Sequence, residues 1–316
     1  MEGAIPLASQ VGGHAGVLTT EDGSLIIKPA LPLEHKFYQS LTTDPAFATL
    51  RSYAPKFIGT LKLEGKAEQG AEGLSVGASE GSGKESLVLE NLSFPFTKPN
   101  ILDIKLGTVL YDEEAPEDKK QRMIETARNT TSLESGVRLT GFQVYDNTTG
   151  QPVNTPKSYG KSIKVSDLRD GAAKFFPVAS VDSTSGLSAN LLLPILKAIR
   201  TEIIEIRAAF AALELRMVGG SLLLVYEGDA AKAAEGVSWM LDGGLSVVAA
   251  DEDDEKSDDE DEKVKHSPVY SVKLIDFAHT RLVPEKGPDE GVLKGFDTTL
   301  ALLDGRIKEV EAVLKD

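Results

Sequence analysis

The chain has 316 residues, 41 % of them apolar and 26 % charged, with no cysteine and a formal charge of −15. This is the composition of a folded chain with a sizeable core, long enough for one large domain or two lobes. It excludes a disulfide framework, a thiolate metal site and a cysteine nucleophile, so any nucleophile or metal ligand is oxygen or nitrogen. Residues 1–10 carry neither the basic nor the apolar region of a signal peptide. No apolar run reaches the roughly 18–20 residues of a membrane span, which predicts a nuclear and cytoplasmic protein. A glycine-rich stretch, Gly12 to Gly16, leads into Val17–Lys28, where Glu21-Asp22-Gly23-Ser24 between apolar runs predicts a hairpin. Leu33, Phe37 and Leu41 are spaced by four and predict a helix, and Tyr53–Leu63 reads as an edge strand. Gly65–Ser86 has too few large apolar side chains to offset the entropy of ordering and is expected to be a flexible loop. Its Gly83-Lys84 fails as a phosphate-binding loop, because the required Gly and hydroxyl positions hold Ala78 and Glu85.

Leu87–Leu92 reads as a strand running into Ser93-Phe94-Pro95, a crossing point between lobes, and Ile101–Leu110 begins a second apolar segment. Residues 195, 199, 203, 206, 210, 213 and 217 are apolar at steps of three and four, which predicts one helix over Leu191–Val218. Ser221–Glu227 and Val269–Phe277 read as strands, and Asp297–Leu314 as a closing helix capped by Asp297. Between these strands Asp251–Glu262 holds ten acidic residues and one lysine, so −9 of the total charge sits there. The mildly acidic remainder argues against direct nucleic-acid binding, which needs cations to neutralise phosphates.

Two constellations carry candidate chemistry. In Pro99-Asn100-Ile101-Leu102-Asp103-Ile104-Lys105-Leu106-Gly107, Asp103 and Lys105 are two apart in a strand and share a face. They suit either a reacting hydroxyl with a transferring phosphoryl group, or a plain ion pair on a half-buried sheet. In Leu274-Ile275-Asp276-Phe277-Ala278-His279 an acidic residue ends an apolar strand. That is a place to hold Mg²⁺ against nucleotide phosphates, and equally a place for a capping aspartate. His279 taken alone is an ordinary surface histidine.

Together these segments resemble the inositol polyphosphate kinase family. PNILDIKLG fits the PxxxDxKxG hallmark, and SLLLVYEG and KLIDFAH are similar to two further family motifs. The similarity extends to QVGGHAG with the hairpin and IIKP, to Tyr159-Gly160-Lys161-Ser162, to Phe175-Phe176 and to Asp289-Glu290-Gly291. The resemblance implies an α+β, two-lobed kinase-like fold with ATP in the interlobe cleft. The implied amino-terminal lobe is 1–92, including the loop 65–86. The implied carboxyl-terminal lobe is 93–316, with a substrate helix at about 116–129 and a disordered acidic loop at about 229–267. Lys28 would contact ATP phosphates, with Glu34 orienting it, while Glu90 and Leu92 would offer hinge backbone groups to adenine. Asp103 would sit beside ribose and the reacting hydroxyl, Lys105 would neutralise the transferring phosphoryl, and Asp276, assisted by Ser221, would hold Mg²⁺. Lys119, Lys120, Arg122, Arg128 and His279 would meet substrate phosphates, Lys119 and Arg122 sharing one helix face.

Where the family has Ser-Ser-Leu-Leu and Pro-Cys, this chain has Gly220-Ser221-Leu222-Leu223 and Pro99-Asn100, changes that remove no charged group. Within the family the compact chain, short substrate helix and acidic insertion resemble fungal multikinases most. These transfer the ATP γ-phosphate to hydroxyls of inositol trisphosphate and tetrakisphosphate. Trisphosphate 3-kinases and hexakisphosphate kinases are the alternative branches. A non-enzymatic reading is transcriptional co-regulation, with transcription factors bound through the acidic loop.

Overall fold

The turn Glu21-Asp22-Gly23-Ser24 is built by its own side chains. Asp22 Oδ1 accepts from the Thr20 hydroxyl at 2.6 Å and from the Ser24 amide at 3.1 Å, while Gly23 takes a φ of +77° that favours glycine. In the computed structural model, which describes residues 4–7, 16–62, 66–70, 73–77, 85–180, 185–243 and 267–315, this turn joins two strands of an antiparallel sheet. The strands are β1 (Ile5–Pro6), β2 (Leu18–Thr19), β3 (Leu25–Pro29), β4 (Phe57–Lys62) and β7 (Glu85–Glu90), in the order β1-β2-β3-β7-β4. β4 is an edge, as its composition predicts. Helix α1 (Pro32–Thr43) starts on a proline, whose fixed φ suits a first turn, and buries Glu34, Phe37, Tyr38 and Leu41 along one face. A 3₁₀ turn and α2 (Ala48–Arg51) follow. Of the segment expected to be a flexible loop, β5 (Lys66–Gly70) and β6 (Gly73–Gly77) form an antiparallel pair and 85–86 already belong to β7. Residues 65, 71–72 and 78–84, like the glycine-rich 12–15, lie outside the described residues.

The second sheet has the order β10-β9-β8-β12-β13, again antiparallel throughout. Its strands are β8 (Pro99–Leu106), β9 (Val137–Asp146), β10 (Gln151–Thr155), β12 (Ser221–Glu227) and β13 (Tyr270–Ile275). Helix α3 (Glu117–Asn129) and the short α4 (Ser132–Ser135) follow β8, and α5 (Lys157–Ser162) and α6 (Leu168–Phe175) follow β10. Alternation on β8 sends Leu102, Ile104 and Leu106 into the main core, which also takes the buried face of α7 (Ala189–Ala211), and Asp103 and Lys105 to the opposite face. That core is continuous with Phe37, Tyr38, Leu87 and Leu89 of the first sheet and its helix. Buried Glu227 fastens the turn segment that crosses between the sheets by accepting the amides of Thr97 (2.7 Å) and Lys98 (2.9 Å).

Three expectations are corrected. The helix expected to reach Val218 stops at Ala211, and β11 (Leu215–Val218) pairs with β14 (His279–Leu282). A four-residue step between Leu213 and Met217 also fits the period of two, so spacing alone does not separate the two states. The acidic loop expected from 229 begins later, because Ala230–Leu241 is helix α8, with Asp229 accepting the amides of Ala231 and Lys232. The run 251–262 itself lies outside the described residues. The closing helix is α9 (Glu290–Val313), and its cap is Asp289 rather than Asp297.

Candidate active site

Cross-strand register arranges one face of the second sheet in rows, since residues directly opposite in antiparallel strands share a face. Ser221, Lys105 and Arg138 form one row across β12, β8 and β9. Leu223 lies opposite Asp103 in the next, and Val225 opposite Ile101 in the third. Ile101 and Val225 pack with Phe96 into a small buried cluster separate from the main core, with Leu223 against it. The face therefore grades from apolar beside the crossing segment to charged at the far end.

The first sheet supplies Lys28 on β3, whose ammonium donates to Glu34 Oε1 at 2.8 Å and to Asp276 Oδ1 at 2.7 Å. One helix secures both partners. Glu34 of α1 is 1 % exposed, while Phe37 and Tyr38 of the same helix pack on Phe277, with ring centroids at 4.6 and 5.4 Å. Anchoring Phe277 fixes the turn at Asp276, which takes a φ of +64°, a left-handed conformation that aspartate tolerates at a cost. Lys105 Nζ lies 3.8 Å from Asp276 Oδ2 and donates to the Gly219 carbonyl at 2.6 Å.

Charge and burial conflict throughout this cluster. Burial acts to lower the Lys28 ammonium, but the carboxylates of Asp276 and Glu34 outweigh it and hold the group above its ordinary range. Burial lifts the Asp103 carboxyl above its usual range; Lys105 opposes this and Asp276 adds to it. Asp103 Oδ1 and Ser221 Oγ are buried with no hydrogen-bond partner among the described residues, and so are Nε and Nη1 of Arg138. Burial pulls the Arg138 guanidinium down, against the charge of Asp103. A buried carboxylate oxygen left unsatisfied is suited to a hydroxyl donor, a buried serine oxygen to a cation, and a buried guanidinium edge to an anion. The oxygens of Ser221 and Asp276 make a hard donor pair that fits Mg²⁺, which takes few protein carboxylates and completes its shell with phosphate and water.

The other predicted residues are distributed around this cluster. The Glu90 carboxylate accepts the Lys56 amide at 2.9 Å, so its side chain is already used. Leu92 sits half-buried in the following turn, where its amide and carbonyl have no backbone partner among the described residues. On α3, Lys119 and Lys120 are half-buried whereas Arg122 and Arg128 are exposed. At 3.6 residues per turn Lys120 lies about 20° and Lys119 about 80° from buried Ala127, against about 140° for Arg122. Lys119 and Arg122 are about 60° apart and share a face as expected, with Arg122 on its more exposed side. His279 opens β14, with Nδ1 3.4 Å from Asp112 Oδ2. Arg138 is the residue that sequence reasoning missed. Its only local signal is a cation between two buried apolar residues of a strand.

Comparison with known proteins identifies the family. Residues 86–304 match the family model described as inositol polyphosphate kinase. The inositol polyphosphate multikinase of Saccharomyces cerevisiae is 30 % identical over 93 % of this chain and 96 % of its own length. That of Schizosaccharomyces pombe is 28 % identical over 69 % of this chain and 77 % of its own. The fold matches a crystal structure of the inositol phosphate multikinase of Saccharomyces cerevisiae in complex with ADP and Mn²⁺. The TM-score is 0.64 at 29 % identity, covering 90 % of this chain and all of the other.

Proposed function

The chain belongs to the inositol polyphosphate kinase family, and from that premise we propose that it is a multikinase, moving the ATP γ-phosphate to hydroxyls of inositol trisphosphate and tetrakisphosphate. That it is an ATP-dependent kinase with the two-lobed kinase-like fold of that family follows from the match to the ADP-bound relative. The finer reading is supported by the similarity to the Saccharomyces cerevisiae multikinase over nearly the whole of both chains, and the graded face supports the place of the nucleotide. Adenine lies at its apolar end, against Ile101, Val225 and Phe96, with the free backbone groups of Leu92 and the carbonyl side of Glu90 beside it. Phosphates lie at its charged end. Lys28, held by Glu34, takes the α- and β-phosphates, as the corresponding lysine–glutamate pair does in protein kinases. Lys105 and Arg138 face the transferring phosphoryl group, where their charge counts most in the transition state.

Asp103 accepts the hydrogen bond of the attacking hydroxyl. Its raised affinity for a proton suits a group that receives one as the new O–P bond forms and the β–γ bridge breaks. Asp276, with Ser221, would hold Mg²⁺, which would supply positive charge against the ATP phosphates. The acceptor's phosphates meet Lys119, Lys120 and His279, with Arg122 and Arg128 at the rim.

The test is ATP consumption with inositol trisphosphate, with products mapped by phosphorus NMR. Sequential conversion to tetrakis- and pentakisphosphate is expected. A single 3-phosphorylated product would place the chain among trisphosphate 3-kinases, and pyrophosphate products among hexakisphosphate kinases. Asp276→Ala should leave under one-hundredth of wild-type turnover with a folded protein. More than one-tenth remaining would reject the metal assignment. A second, non-enzymatic reading, binding of transcription factors through 251–262, is supported by the charge of that run and is tested by pull-down with the run deleted.

A further inference from the structure

Asp112 lies between the end of β8 and the start of α3 and is only 8 % exposed. Its two carboxylate oxygens are divided between two side chains of β14. Oδ1 accepts from Arg281 Nη1 at 2.8 Å, and Oδ2 lies 3.4 Å from His279 Nδ1. His279 and Arg281 are two residues apart in a strand and leave the same face, so one carboxylate spans both. Arg281 is itself fixed from the other side, donating through Nη2 to Glu113 at 3.1 Å. The backbone adds a further hold. Asp112 Oδ1 accepts the Glu114 amide at 3.3 Å, and the Asp112 carbonyl accepts the Ala115 amide at 3.0 Å. Burial works against charge on Asp112, yet the Glu114 amide and the Arg281 guanidinium hold it below the ordinary carboxylate range, so it stays ionised.

A carboxylate against one nitrogen of an imidazole fixes the tautomer and the ring plane and leaves the other nitrogen as the working atom. Among the described residues His279 Nε2 has no partner, and the side chain is 35 % exposed. We propose that Asp112, locked by Arg281, is a positioning residue for the phosphorylation reaction: it accepts Nδ1–H of His279 and orients the ring so that, protonated on both nitrogens when the acceptor is bound, it donates Nε2–H to a phosphate oxygen. The inference rests on the assignment of His279 to the acceptor made above. It adds the residue that decides how well that contact is made, since a misplacement of about 1 Å is enough to lose most of an oriented interaction.

Asp112→Asn keeps the size and one acceptor oxygen and removes the charge. It should raise KM for inositol trisphosphate about tenfold, with KM for ATP within twofold, kcat within threefold and an unchanged melting temperature. In a His279→Ala background the same substitution should change the acceptor KM by less than twofold, because the ring it acts through is gone. Long-range ¹H–¹⁵N spectra give a readout independent of turnover. The His279 ring, identified by the signals lost in His279→Ala, should carry its neutral-form proton on Nδ1 in the free wild type, be protonated on both nitrogens once inositol trisphosphate is bound, and lose the Nδ1 preference in Asp112→Asn. An undiminished effect in the His279→Ala background, an equal rise in both KM values, or a neutral ring with its proton on Nε2 in the free wild type would overturn the proposal. Wild-type protein inactive with every inositol phosphate would instead reject the assignment of function, with the tautomer still reporting on Asp112.

Discussion

Arg138 is a charge carried into a place where the fold gives two of its donors no partner. Buried donors left unsatisfied cost about 1–3 kcal/mol, so Arg138→Met should be tolerated or even raise the melting temperature by about 2 °C or more. The same substitution should lower kcat/KM by roughly a hundredfold, because a preorganised cation beside the transferring group is lost. Thermal unfolding and steady-state kinetics on one preparation check both halves; activity within twofold of wild type would show that the guanidinium is merely buried. The contrast with Asp103 and Lys105 shows what a sequence reveals at this scale. Those two share a face because they are two apart on one strand, a relation written in the local sequence. Arg138 joins them only through the register between β8 and β9, where Lys105 lies opposite it across more than thirty residues of chain. Asp276 is intermediate: its place at the end of an apolar strand was legible, whereas its left-handed backbone depends on Phe277 being seated between Phe37 and Tyr38.

At the scale of elements, the contact of α7 and β13 with the segment before β4 holds a pH-dependent part of the stability. Leu274 donates its amide to the Tyr53 carbonyl at 2.7 Å, Lys273 Nζ reaches the Ser52 carbonyl at 2.5 Å, and the Tyr53 hydroxyl donates to Glu205 at 3.1 Å. Beside them burial pushes Glu202 from its ordinary 4.5 up to about 7, against the pull of Lys273 and a hydrogen bond from Tyr270 and with help from Glu205. A carboxyl whose affinity for protons is higher in the folded state stabilises the fold at low pH. That contribution is lost as pH rises from about 4.5 to 7, and is of order 2–3 kcal/mol. Urea unfolding at pH 5 to 8 should therefore show Glu202→Gln increasingly more stable than wild type toward pH 8, with no gain at pH 5. A difference independent of pH would reject the buried carboxyl as its source. Among the elements themselves, those written by a single period were legible: the hairpin after Gly16, α1, β8, β12 and β13. Those that failed were boundaries decided by partners. Met217 follows the helical spacing of α7 but pairs with Thr280, and α8 is small-residue helix whose Gly236 and Ala233 fit close neighbours rather than an apolar stripe.

The whole molecule is an anion built to bind anions. Of its −15, −9 lies in 251–262, and only −6 in the rest of the chain, including every residue assigned to the site. Both ATP and an inositol polyphosphate approach against that field before Lys28, Lys105, Lys119 and Lys120 can hold them at short range. The opposition is long-range and is governed by the Debye length, about 30 Å at 0.01 M salt and about 8 Å at 0.15 M. Replacing 251–262 by a Gly/Ser linker should therefore raise kcat/KM for inositol trisphosphate several-fold at 10 mM salt. The gain should fade to nothing near 300 mM, with kcat the same at every salt concentration. The two substrates also separate field from contact. A field acts on both polyanions, so KM for ATP should fall together with that for the acceptor. Lys119→Ala with Lys120→Ala, by contrast, should raise the acceptor KM alone, because those side chains lie on α3, remote in sequence from Lys28 and the crossing segment. A fall in kcat that persists at high salt in the linker variant would mean that the acidic run supplies groups to the reaction itself, and the division of the molecule into a charged site and a dispensable acidic run would fail.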